Sequence, residues 1–239
     1  MSEAIVLNGK IRKYRVERGS ANFYFTDTEQ KALGMAAIGA ALVGASGVAM
    51  GTAISASDIK EEADQVEFEI DGICVSGWVW RSPFSEGDEV TVVAERDGES
   101  YSIAAIVRPQ DRMIAMYPHL SRGRLAHFLN AVKWWLLGSS GVAMFGIIVL
   151  SIGVLIGGEN PVSYENINAI LWTIAIIFPL LLLPAIHMTF KHLRFVRAAE
   201  TIFRKLDWNN VGRIDLPKSS KGQKHDIDDP EYGIYYFRY

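Results

Sequence analysis

Apolar and polar residues alternate in the first half of the chain. Four short stretches between residues 65 and 109 alternate in this way, VEFEIDG, ICVSGWVW, DEVTVVAERDG and ESYSIAAIVRP, and the pairs Asp71-Gly72 and Asp97-Gly98 supply turns between them. Alternation with a period of two, bounded by such pairs, predicts strands joined as hairpins. IVLNGKIRKYRV and SANFYFTD near the N-terminus share the pattern. We therefore expect six strands in a small antiparallel sheet or barrel of the OB or SH3 type.

Two later stretches are predominantly apolar. Residues 131–156 carry Lys133 as their only charge, and residues 167–189 form a second apolar stretch. About 20 apolar residues suffice for a helix to cross the hydrocarbon core of a bilayer. Lys133 lies at the start of its stretch, where its stem can reach the headgroups beside Trp134 and Trp135. The sequence thus predicts a transmembrane helical hairpin.

Two prolines interrupt the second apolar stretch. Pro179 and Pro184 each remove a backbone hydrogen-bond donor, so a kink is expected. Within a membrane, a neighbouring helix or protein surface must cover the carbonyls that the prolines free.

Charge predicts the orientation of this hairpin. The loop between the stretches carries Glu159 and Glu165 and no lysine or arginine. Basic residues flank both outer ends of the hairpin: Arg112, Arg122, Arg124, Lys133, Lys191, Arg194, Arg197, Arg204 and Lys205. The positive-inside rule places the loop outside and both flanks in the cytoplasm. The predicted β domain and the C-terminus then lie in the cytoplasm.

Residues 32–56 contain no charge and consist mostly of alanine and glycine. A single crossing would put the strands before and after this segment on opposite sides of the membrane, where they could not pair. Ala45-Ser46-Gly47 near the middle would divide it into two helices of about 11 residues, each too short to span at 1.5 Å per residue. A helical hairpin is therefore the favoured interpretation.

Glycines in this segment allow helix backbones to approach closely, as in small-residue membrane interfaces. The candidate packing positions are Gly39, Gly44, Gly47 and Gly51. Two alternatives remain open. The hairpin either packs against the two apolar stretches or the sheet, or itself enters lipid.

The C-terminal third predicts a helix and an aromatic tail. Lys191, Arg194 and Arg197 recur every three residues among apolar positions, which is typical of an amphipathic helix at a surface of anionic lipid. Arg122 and Arg124 are further candidates for headgroup contacts, although topological anchoring explains them equally well. The terminal EYGIYYFRY favours an added strand over a peptide that a partner recognises.

The predicted organisation is therefore that of an α+β membrane protein. Its segments are the N-terminal strands (1–31), the Ala/Gly-rich helical hairpin (32–56), the β domain (57–116), the transmembrane hairpin (117–190), the amphipathic juxtamembrane helix (191–216) and the linker with its aromatic tail (217–239).

Composition and motifs favour no enzyme. The 239 residues include a single cysteine, Cys74, and contain no GxxxxGK[ST], GxGxxG, GxSxG or HExxH motif. The pairs His119/His127 and His187/His192 have weak spacing for metal ligands. We therefore expect no catalytic residues, no cofactor and no metal. A net charge of -3 and basic residues explained by topology also disfavour nucleic-acid binding.

One resemblance adds a biological context. GWVWRSPFSEGDEV and IVRPQDRMIAMYPHLSRGRLAHFLNAVKWWL make the chain resemble a bacterial family of type VI secretion system effectors. The similarity covers most of the chain, including Trp78 to Phe84 and Tyr117 to Trp135. The resemblance implies interbacterial competition with a membrane as the place of action, and it supplies no catalytic residues.

Two functions follow as expectations. The first is a non-enzymatic toxin that forms homo-oligomers in the inner membrane of a target cell and permeabilises it. The weak hydrophobicity of residues 32–56 suits a segment that stays soluble in transit and then inserts. The second is a resident multi-pass inner-membrane protein, an immunity or accessory factor whose cytoplasmic β domain binds a cognate effector or immunity protein. The positive-inside pattern favours the resident, because that bias arises during insertion from the cytoplasm. The resemblance and the glycine-rich segment favour the toxin, which is the preferred expectation.

Overall fold

The structure is a computed structural model that describes residues 4–21, 23, 60–97, 100–157, 163–226 and 228–239. The predicted Ala/Gly-rich hairpin lies outside these residues. The fold is α+β, with one mixed β-sheet and two long apolar helices. The chain divides into two compact units. The sheet unit comprises Met1–Ser121, Ile202–Trp208 and Leu216–Tyr239, and the helix unit comprises Arg122–Thr201 and Asn209–Asp215.

The described part of the sheet unit contributes eight strands to one sheet. They are β1 (Ala4–Lys10), β2 (Arg12–Ala21), β3 (Glu61–Ile70), β4 (Ile73–Val79), β5 (Glu89–Asp97), β6 (Ser100–Arg108), β7 (Met113–Met116) and β8 (Tyr236–Arg238). Their order is β1-β5-β6-β4-β3-β2, and β7 pairs with both β6 and β8. The aromatic tail thus adds a strand, as its composition predicts.

The two end strands of this order are consecutive in the chain. Only Ile11 separates β1 from β2. The Ile11 N–H donates to the carbonyl of Asp88, and its carbonyl accepts from the N–H of Gly87, both at 2.9 Å. A Cβ on Gly9 would lie 2.9 Å from Cγ2 of Ile70, so β1 also closely approaches the end of β3. The sheet therefore curls until its first and last strands meet at Ile11, which divides the single strand predicted for IVLNGKIRKYRV.

The expectation of a purely antiparallel sheet is wrong at one pairing. β4 and β6 run parallel, with Val75 opposite Tyr101 and Ser76 opposite Ser102. Turn pairs in a sequence specify hairpins between consecutive strands, whereas this pairing joins strands that are not consecutive. The strands come very close there, because a Cβ on Gly77 would lie 2.8 Å from the backbone nitrogen of Ile103.

The core of the sheet unit is made by the inward positions of the alternating strands. Its fully buried large side chains include Val66, Phe68, Ile70, Val75, Ile103 and Ile106. In β3 alternate residues face outward, so periodicity selects its part of the core. β5 and β6 are each buried at three consecutive positions, which alternation does not predict. The short strand β7 pairs with β6 and β8 along its edges and is buried at all four positions, so protein covers both of its faces.

Charged residues of β2 face acidic residues of β3. Arg12 lies opposite Glu69 and Arg15 opposite Glu67 in the register, and Lys13 Nζ lies 2.7 Å from Glu69 Oε2. These cross-strand pairs place opposite charges beside each other on neighbouring strands, which stabilises the sheet.

The helices are longer than the predicted spans. They are α1 (Arg124–Ile156), α2 (Tyr164–Lys205) and α3 (Leu216–Lys221), with a 3-10 turn at Val211–Arg213. By length and composition, α1 and α2 are each suited to crossing a membrane.

The segment predicted as a juxtamembrane helix, residues 191–216, is not a single helix. Its first part is the end of α2, which stops at Lys205, and the chain then turns through Asp207 and Asn210, both with positive φ. The apolar face of this part is buried in the protein, including Phe195, Val196, Ala199, Ile202 and Phe203. A buried face cannot lie on a lipid surface, so the predicted lipid-facing amphipathic helix is wrong for these residues.

Candidate functional site

The start of α1 is capped by a carboxylate from α2. Gly123 is the N-cap residue and supplies no side-chain cap. The backbone N–H of Arg124 donates to Glu200 Oε1 at 2.8 Å, and Arg124 Nη2 donates to Oε2 at 2.9 Å. The Glu200 residue is only 3% exposed. Its negative charge satisfies an open helix donor at the positive end of the α1 dipole.

The turn after α2 is fastened to the same point. The N–H of Gly123 donates to the carbonyl of Ile214 at 2.9 Å, and Arg122 Nε donates to Asp215 Oδ1 at 3.0 Å. A Cβ on Gly123 would lie 2.0 Å from the carbonyl oxygen of Val211, so only glycine fits. We call Arg122, Gly123, Arg124, Glu200 and Asp215 the helix base.

One face of α1 meets α2 above the helix base. Its members recur at intervals of three, four or eight residues: His127, Trp135, Ser139, Ala143 and Gly146. We call this row the helix seam. Ser139 is 1% exposed and Ala143 is buried. A Cβ on Gly146 would lie 3.5 Å from Cγ2 of Thr173 on α2. A side chain at Gly146 would therefore contact α2.

Trp135 crosses the seam beside one of the predicted kinks. Its Nε1 donates to the carbonyl of Phe178 at 3.3 Å, and the two rings meet edge to face with centroids 5.9 Å apart. Phe178 precedes Pro179. The carbonyls that Pro179 and Pro184 free lie four residues before each proline, at Ala175 and Leu180. The indole therefore contacts α2 beside Pro179, and its hydrogen bond goes to neither of those carbonyls.

Two histidines meet where the seam reaches the base. The imidazole centroids of His127 and His192 are 5.6 Å apart. His192 Nδ1 bonds to the carbonyl of Met188 at 2.9 Å. His127 bonds to the backbone carbonyl of Thr189, while its Nε2 is buried without a hydrogen-bond partner among the described residues. Burial lowers the pKa of His127, and the positive fields of His192 and Arg122 act in the same direction.

The predicted anchors fall into two groups. Arg122 and Arg124 each form an ion pair with a carboxylate of the helix base, and the Arg124 side chain remains 67% exposed. The other predicted anchors lie on α1 and α2, with Trp135 in the seam and the rest half-buried or exposed: Lys133, Trp134, Lys191, Arg194 and Arg197. Arg194 stacks on the ring of Phe195 at 4.9 Å. Pro179 and Pro184 are both exposed on α2.

Four predicted positions cannot be placed. Gly39, Gly44, Gly47 and Gly51 lie outside the described residues. The small residues that the structure does bring to a helix interface are Ser139, Ala143 and Gly146. Their spacing within residues 131–156 is a detectable signal that sequence reasoning missed.

Reasoning along the chain also missed two long-range contacts. It compared histidines that are close in sequence, and therefore did not pair His127 with His192. Glu200 carried no local signal of its role as a cap.

No group of three histidine, cysteine, aspartate or glutamate side chains gathers as a metal site within the described ranges. No protein-family model, curated protein or solved structure matches the chain. Function must therefore be argued from the helix base, the helix seam and the exposed faces of α1 and α2.

Proposed function

We propose that α1 and α2 insert as a two-span hairpin into a bacterial inner membrane and tether the sheet unit to its cytoplasmic face. One observation carries the proposal. Among the described residues, all exposed large apolar side chains except Val6, Val16 and Ile234 lie on α1 and α2. Water does not tolerate so large a contiguous apolar surface, whereas lipid does.

The helix lengths support this assignment. α1 has 33 residues and α2 has 42. At 1.5 Å per residue they extend about 50 and 63 Å, more than the roughly 30 Å of a hydrocarbon core. The proposed membrane-spanning segments are residues 131–156 and 167–189. The helix base and both histidines then lie outside these segments, on the side of the basic flanks.

The form of the sheet supports a binding role for the sheet unit. The two edge strands of the sheet, β1 and β2, follow each other in the chain and act as one bent strand that belongs to both ends of the sheet. The sheet also contains the parallel pair β4–β6. We propose that this is a barrel of the OB type, a scaffold that binds ligands and partners in many unrelated proteins. By that analogy the barrel holds a soluble partner at the membrane, as an immunity or accessory protein would.

The helix base favours residence over delivery. Two ion pairs and a glycine contact join the cytoplasmic ends of α1 and α2. These contacts suit a hairpin that inserts from the cytoplasm, because only the loop between the two helices must then cross the membrane. The positive-inside pattern of the flanks arises during insertion from that side.

A toxin is the second candidate. It is favoured by the resemblance to type VI secretion system effectors and by the uncharged residues 32–56. In this case homo-oligomers of the hairpin permeabilise the inner membrane of a target cell.

Controlled expression in a sensitive bacterium separates the two candidates. The chain is produced once in the cytoplasm and once with an export signal, and membrane potential is followed with a voltage-sensitive dye. A resident protein leaves the cells polarised in both arms and fractionates with the membrane. Depolarisation, strongest on export, contradicts residence and supports the toxin.

Matched variants then assign the toxic mechanism, should depolarisation occur. Gly44→Leu and Gly47→Leu abolish depolarisation if close helix approach forms the pore. Gly138→Leu is the control, because a Cβ at Gly138 meets no atom within 4 Å.

A further inference from the structure

We infer that His127 and His192 form a proton-sensitive joint that holds the base ends of α1 and α2 together when neutral and releases them on protonation. The inference goes beyond membrane insertion, since it concerns a contact within the helix unit. It can be tested in detergent micelles, where the outcome does not depend on whether the helices cross a bilayer.

Hydrogen bonding fixes the tautomers of both rings. A carbonyl can only accept, so His192 Nδ1 must donate its hydrogen to Met188. Since His127 Nε2 has no partner in the described structure, the bond from His127 to Thr189 is made by Nδ1. The neutral His127 ring therefore carries a bare, buried lone pair at Nε2. A second proton would have to go to this atom.

Protonation of His127 is opposed on two grounds. The new N–H would be buried with no acceptor among the described residues. The new charge would also face Arg122 from the segment before α1 and His192 from α2, one a cation and the other able to become one. The carboxylates of the helix base, Glu200 and Asp215, already accept from Arg124 and Arg122.

The sign of the pH effect follows from linkage. In the packed joint the pKa of His127 lies below its ordinary value of 6.5. A separated joint therefore binds the proton more readily, and the packed state loses stability as the pH falls below that ordinary value. The ratio of packed to separated joint falls by up to about tenfold per pH unit until the packed-state pKa is reached.

Distance measurements between the helices test the joint. Cys74→Ser removes the native thiol, and Leu129→Cys with Phe190→Cys places nitroxide labels on exposed positions of α1 and α2 near the histidines. Double electron–electron resonance is recorded on the full chain in micelles between about pH 8 and pH 5. We expect one short distance at the higher pH and a growing longer population at the lower pH.

Glutamine variants identify the responsible groups. His127→Gln removes the ring that would take the proton, and His192→Gln removes the ring beside it. Each variant keeps an amide donor, and both should weaken the pH response. His187→Gln is the matched control, an exposed histidine of α2 outside the pair, and should respond as wild type does. A wild-type distance that is unchanged by pH overturns the inference. So does an undiminished response in folded His127→Gln or His192→Gln protein.

Discussion

The sheet unit and the helix unit distribute apolar and polar side chains in opposite ways. In the sheet unit Phe68 is 2% exposed, while the charged residues of β2 and β3 other than Asp64 are half-buried or exposed. In the helix unit Phe145 is 69% and Ile156 is 83% exposed, while Ser139 and Glu200 are buried. The first distribution suits water and the second suits lipid.

The two units are therefore stabilised by different forces. Burial of apolar surface drives the sheet unit, because its core leaves water on folding. Between helices surrounded by lipid that driving force is absent, and close packing with polar contacts takes its place. The helix seam supplies such contacts through Trp135, which donates to the carbonyl of Phe178, and through the buried Ser139. The same substitution should therefore have different effects in the two units.

The largest expected contrast comes from phenylalanine truncation. Phe68→Ala opens a cavity in the sheet core and should lower the free energy of unfolding by about 3–5 kcal/mol. Phe145→Ala, on the exposed face of α1, should change it by less than about 0.5 kcal/mol. Chemical unfolding of both variants in micelles, followed by circular dichroism, makes the comparison. Equal losses of unfolding free energy in the two variants would contradict a helix unit whose large apolar side chains face outward.

Glycine substitutions sharpen the contrast within one helix. Gly123→Ala drives a Cβ into the carbonyl of Val211 and should destabilise the helix base by about 1–3 kcal/mol. Gly138→Ala meets open space and should stabilise α1 by about 0.5–1 kcal/mol through helix propensity. Thermal unfolding in micelles reports both values. A stable Gly123→Ala protein would show that the base is looser than described.

Removing the charge of Glu200 should have a smaller effect. Glu200→Gln keeps an acceptor for the Arg124 N–H and loses the ion pair, so we expect a loss of about 1 kcal/mol. The exposed guanidinium of Arg124 is screened by solvent, which limits the loss. Glu165→Gln in the first turn of α2 is the control, with an expected change of about 0.3 kcal/mol. Equal losses of stability in Glu200→Gln and Glu165→Gln would show that Glu200 does not cap α1.

The smallest change is expected at Ser139. Its buried hydroxyl has no hydrogen-bond partner in the described structure. Ser139→Ala should therefore alter the unfolding free energy by no more than about 0.5 kcal/mol. Ser139→Leu should cost about 1–3 kcal/mol, because the seam has no room for the added carbons. If both variants behave alike, Ser139 does not lie between the helices.

Local patterns predicted most elements of both units but missed β7 and α3. Alternation identified the strands between residues 61 and 108, and continuous apolar runs identified the central parts of α1 and α2. These features depend on residues a few positions apart, which a sequence displays directly.

Contacts between distant residues were not predictable in the same way. Arg124 and Arg122 resemble membrane anchors by position, and only the fold brings Glu200 and Asp215 to them. The parallel pairing of β4 with β6 depends on how the whole sheet closes. Residues 191–205 have the periodicity of a surface helix, but the same periodicity fits a helix whose apolar face is covered by protein.

Thiol accessibility tests the central claim that α1 and α2 form a membrane-spanning hairpin. The native Cys74 is exposed on β4 and reports on the sheet unit. Ser163→Cys in a Cys74→Ser background reports on the loop between the helices. Both proteins are treated with a membrane-impermeant maleimide in intact spheroplasts and again after lysis. We predict that Ser163→Cys is labelled in intact spheroplasts and that Cys74 is labelled only after lysis. Labelling of both or of neither before lysis would contradict the hairpin.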